Sequence, residues 1–177
     1  MRLTSIRHSP RALFAATGLG ALALVGGGLI LARTMNLAAC PLCILQRMLY
    51  LLLGLQGIVA VLLADHRMAR RLSGILMALT AITGASIATY QSWLQRFAKD
   101  ISCTANQPWW EHFVDWAGRQ VPVLFEATGL CSEAGWKLLG LSIAEWSLLA
   151  FFAIAAVALA AAFAPLPGQD KASNLPK

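Results

Sequence analysis

The residues of this chain best suited to covalent chemistry are its four cysteines, Cys40, Cys43, Cys103 and Cys131. A thiolate can attack one disulfide sulfur and displace the other, so four sulfurs can exchange bonds as well as close staples. An even count leaves three pairings, which the sequence alone does not rank. Spacing nevertheless sets Cys40 and Cys43 apart as a C-x-x-C. A bridge across so short a loop removes little entropy from the unfolded chain, so such a pair serves redox exchange or metal binding rather than stapling. Structural zinc usually brings a second, equally tight pair, and Cys103 and Cys131 are far apart in the chain; no metal is assigned. Taken alone, those two would suit a structural staple in an oxidising compartment.

The C-x-x-C sits in A-A-C-P-L-C-I-L-Q-R, residues 38–47. Pro41 fits the first turn of a helix, which leaves Cys43 near a helix N-terminus whose dipole favours the thiolate. Four residues on, Arg47 shares a helix face with Cys43, with Gln46 and Tyr50 close by. A cation inside an apolar stretch reads as functional. Its guanidinium can stabilise the Cys43 thiolate and donate to a carbonyl oxygen that gains negative charge on reduction, as in a quinone. Two other readings of this segment are disfavoured. Leu37-Ala38-Ala39-Cys40 matches a lipoprotein cleavage box, but Arg33 and Asn36 interrupt the apolar run before it. A thioredoxin-like motif would need a βαβ pattern, and none surrounds the pair.

The elements that must hold these residues are membrane helices. The chain has 177 residues, 58% of them hydrophobic and 12% charged, with a mean hydropathy of +0.65; a soluble domain carries about a quarter charged residues. Lipid offers no partner to backbone N–H and C=O groups, so a span needs roughly 20 apolar residues in a helix. Residues 12–32, 42–64, 72–93 and 142–164 qualify, which predicts an all-α bundle of four transmembrane helices. In the third, Gly74/Ala78, Ala81/Ala85 and Gly84/Ala88 carry the small-xxx-small spacing that suits close packing in lipid.

Cytoplasmic loops retain Lys and Arg during insertion. Arg2, Arg7 and Arg11 in residues 1–11, Arg67, Arg70 and Arg71 in residues 65–71, and Lys171 and Lys177 in residues 165–177 all lie on one side of an even-numbered bundle. Both termini therefore read as cytoplasmic, and residues 33–41 and 94–141 as exterior loops. One cysteine pair, Cys40 and Cys43, then stands at the end of the short exterior loop where the second span opens, and the other pair lies in the long one. The net charge of +6 has its explanation in this topology; no basic stripe with interleaved aromatics points to nucleic acid. All six tryptophans lie in or beside the long loop, which predicts that it hugs the bilayer, with a short interfacial helix over residues 112–125 broken near Pro122. A transporter is disfavoured, because no internal repeat, broken helix pair or second intramembrane charge marks a midplane site. A scaffold protein stapled by exterior disulfides, without turnover, is the competing class.

Three segments together carry a family resemblance: C-P-L-C-I-L-Q-R from Cys40 to Arg47, Cys103 early in the long loop, and G-L-C-S-E-A-G-W-K-L-L-G-L from Gly129 to Leu141. On these the chain resembles, along nearly its whole length, the DsbB family of bacterial quinone-dependent disulfide oxidoreductases. The resemblance implies a protein of the bacterial inner membrane with its active site on the periplasmic side. It implies redox disulfides Cys40–Cys43 and Cys103–Cys131, a transient Cys40–Cys131 link, and Arg47 at the quinone. The partner would be a DsbA-like periplasmic thiol oxidase, reoxidised through Cys103, and the electron acceptor ubiquinone, or menaquinone without oxygen. Because DsbA is itself strongly oxidising, at about −120 mV, a quinone sink is needed to keep it oxidised and so sustain disulfide formation in periplasmic proteins. One departure stands out: family members often place a histidine near the exterior end of the third span, where this chain has Tyr90-Gln91-Ser92.

Overall fold

Ser9 approaches in extended conformation and accepts a hydrogen bond from the Ala12 amide at 3.2 Å, while Pro10, lacking an N–H to orphan, starts helix α1 (Pro10–Thr34). In this computed structural model residues 9–97, 108–133 and 135–164 are described; Cys103, Arg2, Arg7, Lys171 and Lys177 lie outside the described residues. α1 ends as the Met35 amide bonds the Leu31 carbonyl and Asn36 turns to a φ of 50°, a left-handed conformation that a short polar side chain tolerates. Helices α2 (Pro41–Leu63) and α3 (Arg67–Phe97) follow. The last long helix, α6 (Ile143–Phe163), opens on a reciprocal cap in which Ser142 Oγ accepts from the Glu145 amide and Glu145 Oε2 accepts from the Ser142 amide at 2.7 Å. All four are long and apolar enough to cross a membrane. The fold is the expected all-α membrane bundle of four helices.

Lipid tails are as apolar as leucine, so helices gain from one another mainly by close packing. The most extensive contacts are α3 with α6, then α1 with α2, then α2 with α3. Small residues set these distances. Gly74, Ala78, Ala81, Gly84, Ala85 and Ala88 all lie on the buried face of α3. A Cβ built at Gly74 would stand 2.5 Å from the Ala162 Cβ, and one at Gly57 would stand 2.7 Å from the Gly18 Cα. Phe14, Leu53, Met77 and Phe151 fill the centre with no exposure. Tyr50 stacks on Phe151 with ring centroids 4.2 Å apart.

At one end of the bundle Arg11 pairs with Asp65 at 2.5 Å, tying the head of α1 to the α2–α3 connection. The opposite end carries the α1–α2 turn and the long connection from α3 to α6. That connection contains α4 (Trp109–Gln120) and α5 (Pro122–Phe125). The helix expected over 112–125 thus begins at Trp109 and breaks at Val121, whose φ of −136° and ψ of 77° lie outside the helical region that a following proline disfavours. α4 buries Val114 and Ala117 and leaves Trp109, Phe113 and Trp116, spaced four and three apart, exposed. This outward apolar stripe suits a helix lying in a membrane interface. A two-stranded hairpin, β1 (Lys137–Leu138) and β2 (Leu141–Ser142), then leads into α6, with Lys137 opposite Ser142 and Leu138 opposite Leu141. Its two turn residues, Leu139 and Gly140, both have positive φ, as mirror-image hairpin turns require. Arg96 closes this end by donating from Nε to Glu145 Oε1 at 2.9 Å, joining the end of α3 to the start of α6.

Candidate redox site and its cavity

Cys40 is the N-cap of α2: its backbone is extended, and its sulfur accepts from the Cys43 amide at 3.3 Å. Pro41 occupies the first turn, which brings Cys43 round so that the two sulfurs stand 2.9 Å apart. A disulfide needs about 2.0 Å, so a small shift closes the bond. Cys40 is 3% exposed and lies in a buried cluster with Leu42, Leu94 and Cys131, against which Cys43 and Trp110 pack. The Cys131 side chain is within hydrogen-bonding contact of that of Cys40. With Cys131 and Cys43 both against it, and buried besides, the Cys40 thiol is held well above its ordinary pKa and keeps its proton in the reduced state.

Cys131 reaches Cys40 because the second loop docks on the first. The Thr128 and Gly129 amides both donate to the Ala39 carbonyl, at 2.9 and 3.0 Å. Gly129 permits this approach, since a Cβ there would stand 2.6 Å from the Ala38 carbonyl oxygen. Two residues later the chain delivers Cys131. Cys103, the fourth cysteine of the sequence reading, lies outside the described residues.

Below the sulfurs opens a cavity of about 560 Å³, lined by Val25 and Gly28 of α1, Cys43, Gln46, Arg47 and Tyr50 of α2, Gln91 of α3, and Ser147 of α6, with further apolar side chains between them. Arg47 lies at this cavity as the helical spacing predicts, and its Nη1 donates to the Leu124 carbonyl of α5. The direct donor to the sulfurs is a residue to which the sequence reading gave no role. Gln91 Nε2 stands 3.0 Å from Cys43 Sγ and 3.2 Å from Cys40 Sγ. Gln46 Nε2 donates to Gln91 Oε1 at 2.7 Å, which fixes the amide so that its N–H groups face sulfur. Gln91 is 2% exposed. One signal pointed to it: the small-residue stripe through Gly84 and Ala88, continued along the same helix face, arrives at Gln91. Tyr50 closes the floor through its hydroxyl, 2.9 Å from Ser147 Oγ.

The model of the family described as "Disulfide bond formation protein DsbB" matches residues 10–161. The chain belongs to the DsbB family. Among curated members, "Disulfide bond formation protein B" of Dechloromonas aromatica is 43% identical over 152 residues, covering 84% of this chain and 90% of that protein. "Disulfide bond formation protein B 1" of Pseudomonas aeruginosa is 35% identical over 147 residues, covering 82% and 90%. The protein of the same name as the first from Nitrosospira multiformis is 34% identical, covering 84% and 89%. Within the DsbB family, then, this member meets its C-x-x-C sulfurs with a neutral amide held by a second amide.

That arrangement makes a prediction. Gln91→Leu removes the side-chain donor that stands 3.0 Å from Cys43 Sγ, and one hydrogen bond to a charged group is worth about 1.5–3 kcal/mol. The rate at which the Cys43 thiol reacts with a small alkylating reagent at neutral pH should fall several-fold, since the fewer thiolates left are each more nucleophilic. An unchanged rate would remove Gln91 from the site.

Proposed function

We propose that this protein is the membrane oxidase of a periplasmic disulfide-forming system, taking electrons from a soluble DsbA-like dithiol protein and passing them to membrane quinone. What carries this reading is the succession of neighbouring sulfurs: Cys131 against Cys40, Cys40 against Cys43, and Cys43 at the wall of an apolar cavity. Disulfide exchange proceeds by attack of a thiolate on a disulfide sulfur with departure of the other, so neighbouring sulfurs can hand a bond from one to the next.

The first step falls on the Cys103–Cys131 disulfide. A thiolate of the reduced partner attacks Cys103, forming a mixed disulfide and releasing Cys131 as a thiolate. Cys131 attacks Cys40, breaking the Cys40–Cys43 bond, and Cys43 leaves as a thiolate against the Gln91 amide. The partner's second thiolate attacks its own sulfur in the mixed disulfide; the partner departs oxidised, and Cys103 is freed. Attack of Cys103 on Cys131 re-forms that bridge and returns Cys40 as a thiol. The balance is one partner dithiol oxidised and one Cys40–Cys43 dithiol formed.

The cavity residues suit a quinone ring. Apolar walls would accept the ring, and Arg47 and Gln46 are donors at its edge, the few convergent polar groups that orient a ligand in an apolar pocket. Bound there, ubiquinone, or menaquinone without oxygen, would supply the two-electron, two-proton sink that restores the Cys40–Cys43 disulfide. Arg47 remains charged throughout and would offer its guanidinium to an oxygen gaining negative charge.

The test combines the purified full-length protein, a reduced DsbA-like protein and a soluble quinone, with quinone absorbance and partner thiols followed together. One quinone should be consumed per partner disulfide formed. Arg47→Ala should raise the quinone KM about tenfold, the worth of one charge-assisted hydrogen bond. Partner oxidation without quinone consumption would dispose of the proposal, and an unchanged KM and turnover in Arg47→Ala would dispose of the role given to Arg47.

A further inference from the structure

The end of the bundle remote from the sulfurs carries a cluster that disulfide exchange does not use. Arg67, Arg70 and Arg71 stand in the first five residues of α3, spaced so that all three share one helix face. Arg70 is 3% exposed, yet its Nε and Nη1 are buried without a hydrogen-bond partner, as is Nε of Arg71. Arg71 holds its guanidinium 5.8 Å from the ring centroid of Phe163 at the end of α6. The acid of the α2–α3 connection, Asp65, is taken by Arg11 at 2.5 Å. Among the described residues no carboxylate pairs with any of the three.

Helix side chains lean toward the N-terminus, so Arg70 lies back over the first turn of α3. The first bond into that helix is the Arg70 amide to the His66 carbonyl at 2.8 Å, so the amides of Arg67, Met68 and Ala69 precede the ladder and carry no backbone partner among the described residues. Their N–H ends are the positive pole of the helix, and the guanidinium groups add to that charge instead of opposing it. Retention of basic residues on one side of a membrane accounts for arginines that reach water. It does not account for one that is withdrawn from water with its donors unused.

We propose that this end of the bundle binds a phosphate group, held by the Arg70 and Arg71 guanidinium groups and the first-turn amides of α3. Guanidinium forks match phosphate oxygens two at a time, and a helix N-terminus is a ready anion seat. The source of the phosphate that fits best is the headgroup of an acidic phospholipid. Exposed apolar side chains flank the seat, Leu72 on α3 and Phe163 on α6, where acyl chains would lie.

The test uses the full-length protein in neutral detergent and follows its thermal unfolding midpoint on addition of phosphatidylglycerol, phosphatidylcholine or inorganic phosphate. Phosphatidylglycerol should raise the midpoint and phosphatidylcholine should not. Arg70→Gln should weaken the apparent affinity for phosphatidylglycerol at least about tenfold, the loss expected from one bidentate ion pair. Arg71→Gln gives the same reading should Arg70→Gln fail to fold. Arg33→Gln, which removes one charge at the other end, should leave the response intact. An equal response to inorganic phosphate supports the seat and assigns it to soluble phosphate. Equal responses to both lipids, or a response lost as fully in Arg33→Gln as in Arg70→Gln, would overturn the proposal.

Discussion

Cys43→Ser should reduce steady-state turnover by at least about a thousandfold while leaving a single burst of partner oxidation. The distinction follows from which sulfurs remain. In the proposed cycle Cys103 and Cys131 can still form their bridge and surrender it once, oxidising about one equivalent of partner per molecule. With serine at 43, Cys40 has no disulfide to offer Cys131, and no dithiol forms beside the cavity. The burst should therefore be stoichiometric and quinone should stay oxidised. Serine is close in size to cysteine, and Cys43 is only partly buried, so the fold should survive. Rapid mixing of reduced partner with the preoxidised variant, with thiols counted by acid quench, separates burst from turnover. Sustained turnover in this variant would mean that electrons bypass the C-x-x-C.

Gly129→Val should cost about a hundredfold in turnover without weakening the first encounter with the partner. The physical reason is proximity: an exchange between held sulfurs has a high effective concentration, and a displacement of about 1 Å can cost on the order of a hundredfold. A Cβ at Gly129 would meet backbone, the Ala38 carbonyl oxygen at 2.6 Å and its carbon at 3.0 Å, and backbone cannot swing aside as a side chain can. The two amide bonds to Ala39 would open, and Cys131 would move off Cys40. The mixed disulfide through Cys103 should then form normally and accumulate, visible on a non-reducing gel. Gly135→Ala is the control, since its Cβ would meet only Leu37 Cδ2, at an ordinary 3.6 Å. Normal turnover in Gly129→Val would show that the docked loop is not what brings the sulfurs together.

The helices were legible because lipid leaves a chain few choices: four apolar runs, and on α3 a stripe of Gly and Ala that had to face a neighbour. Pro41 after Cys40 made the cap readable, and Pro122 marked the break between α4 and α5. The contacts between loops were not legible. Nothing local in Thr128-Gly129 names Ala39 as its acceptor, because the partner is a carbonyl and every residue has one. The same holds for Arg47, whose helical spacing pointed to Cys43 but whose hydrogen bond goes to the Leu124 carbonyl. Gln46 and Gln91 pair across two helices, and their meeting depends on the relative height of α2 and α3, which hydropathy does not encode. The hairpin before α6 escaped notice for a chemical reason: its turn is Leu139-Gly140, without the Asn-Gly or Asp-Gly that signals positive φ.

The cavity's walls also decide how a molecule arrives. α3 and α6 meet closely through Gly and Ala, whereas α1 and α6 touch less extensively and both line the cavity, with Leu24 45% and Leu149 52% exposed. A seam of this kind would serve as a side door onto the lipid. An electron acceptor with a long isoprenoid tail would drift to it within the plane of the bilayer and never need to leave oil for water. Its encounter rate with Cys43 would then scale with its mole fraction in the membrane, so lipid dilution at constant protein would slow the enzyme even where the bulk amount of acceptor is unchanged.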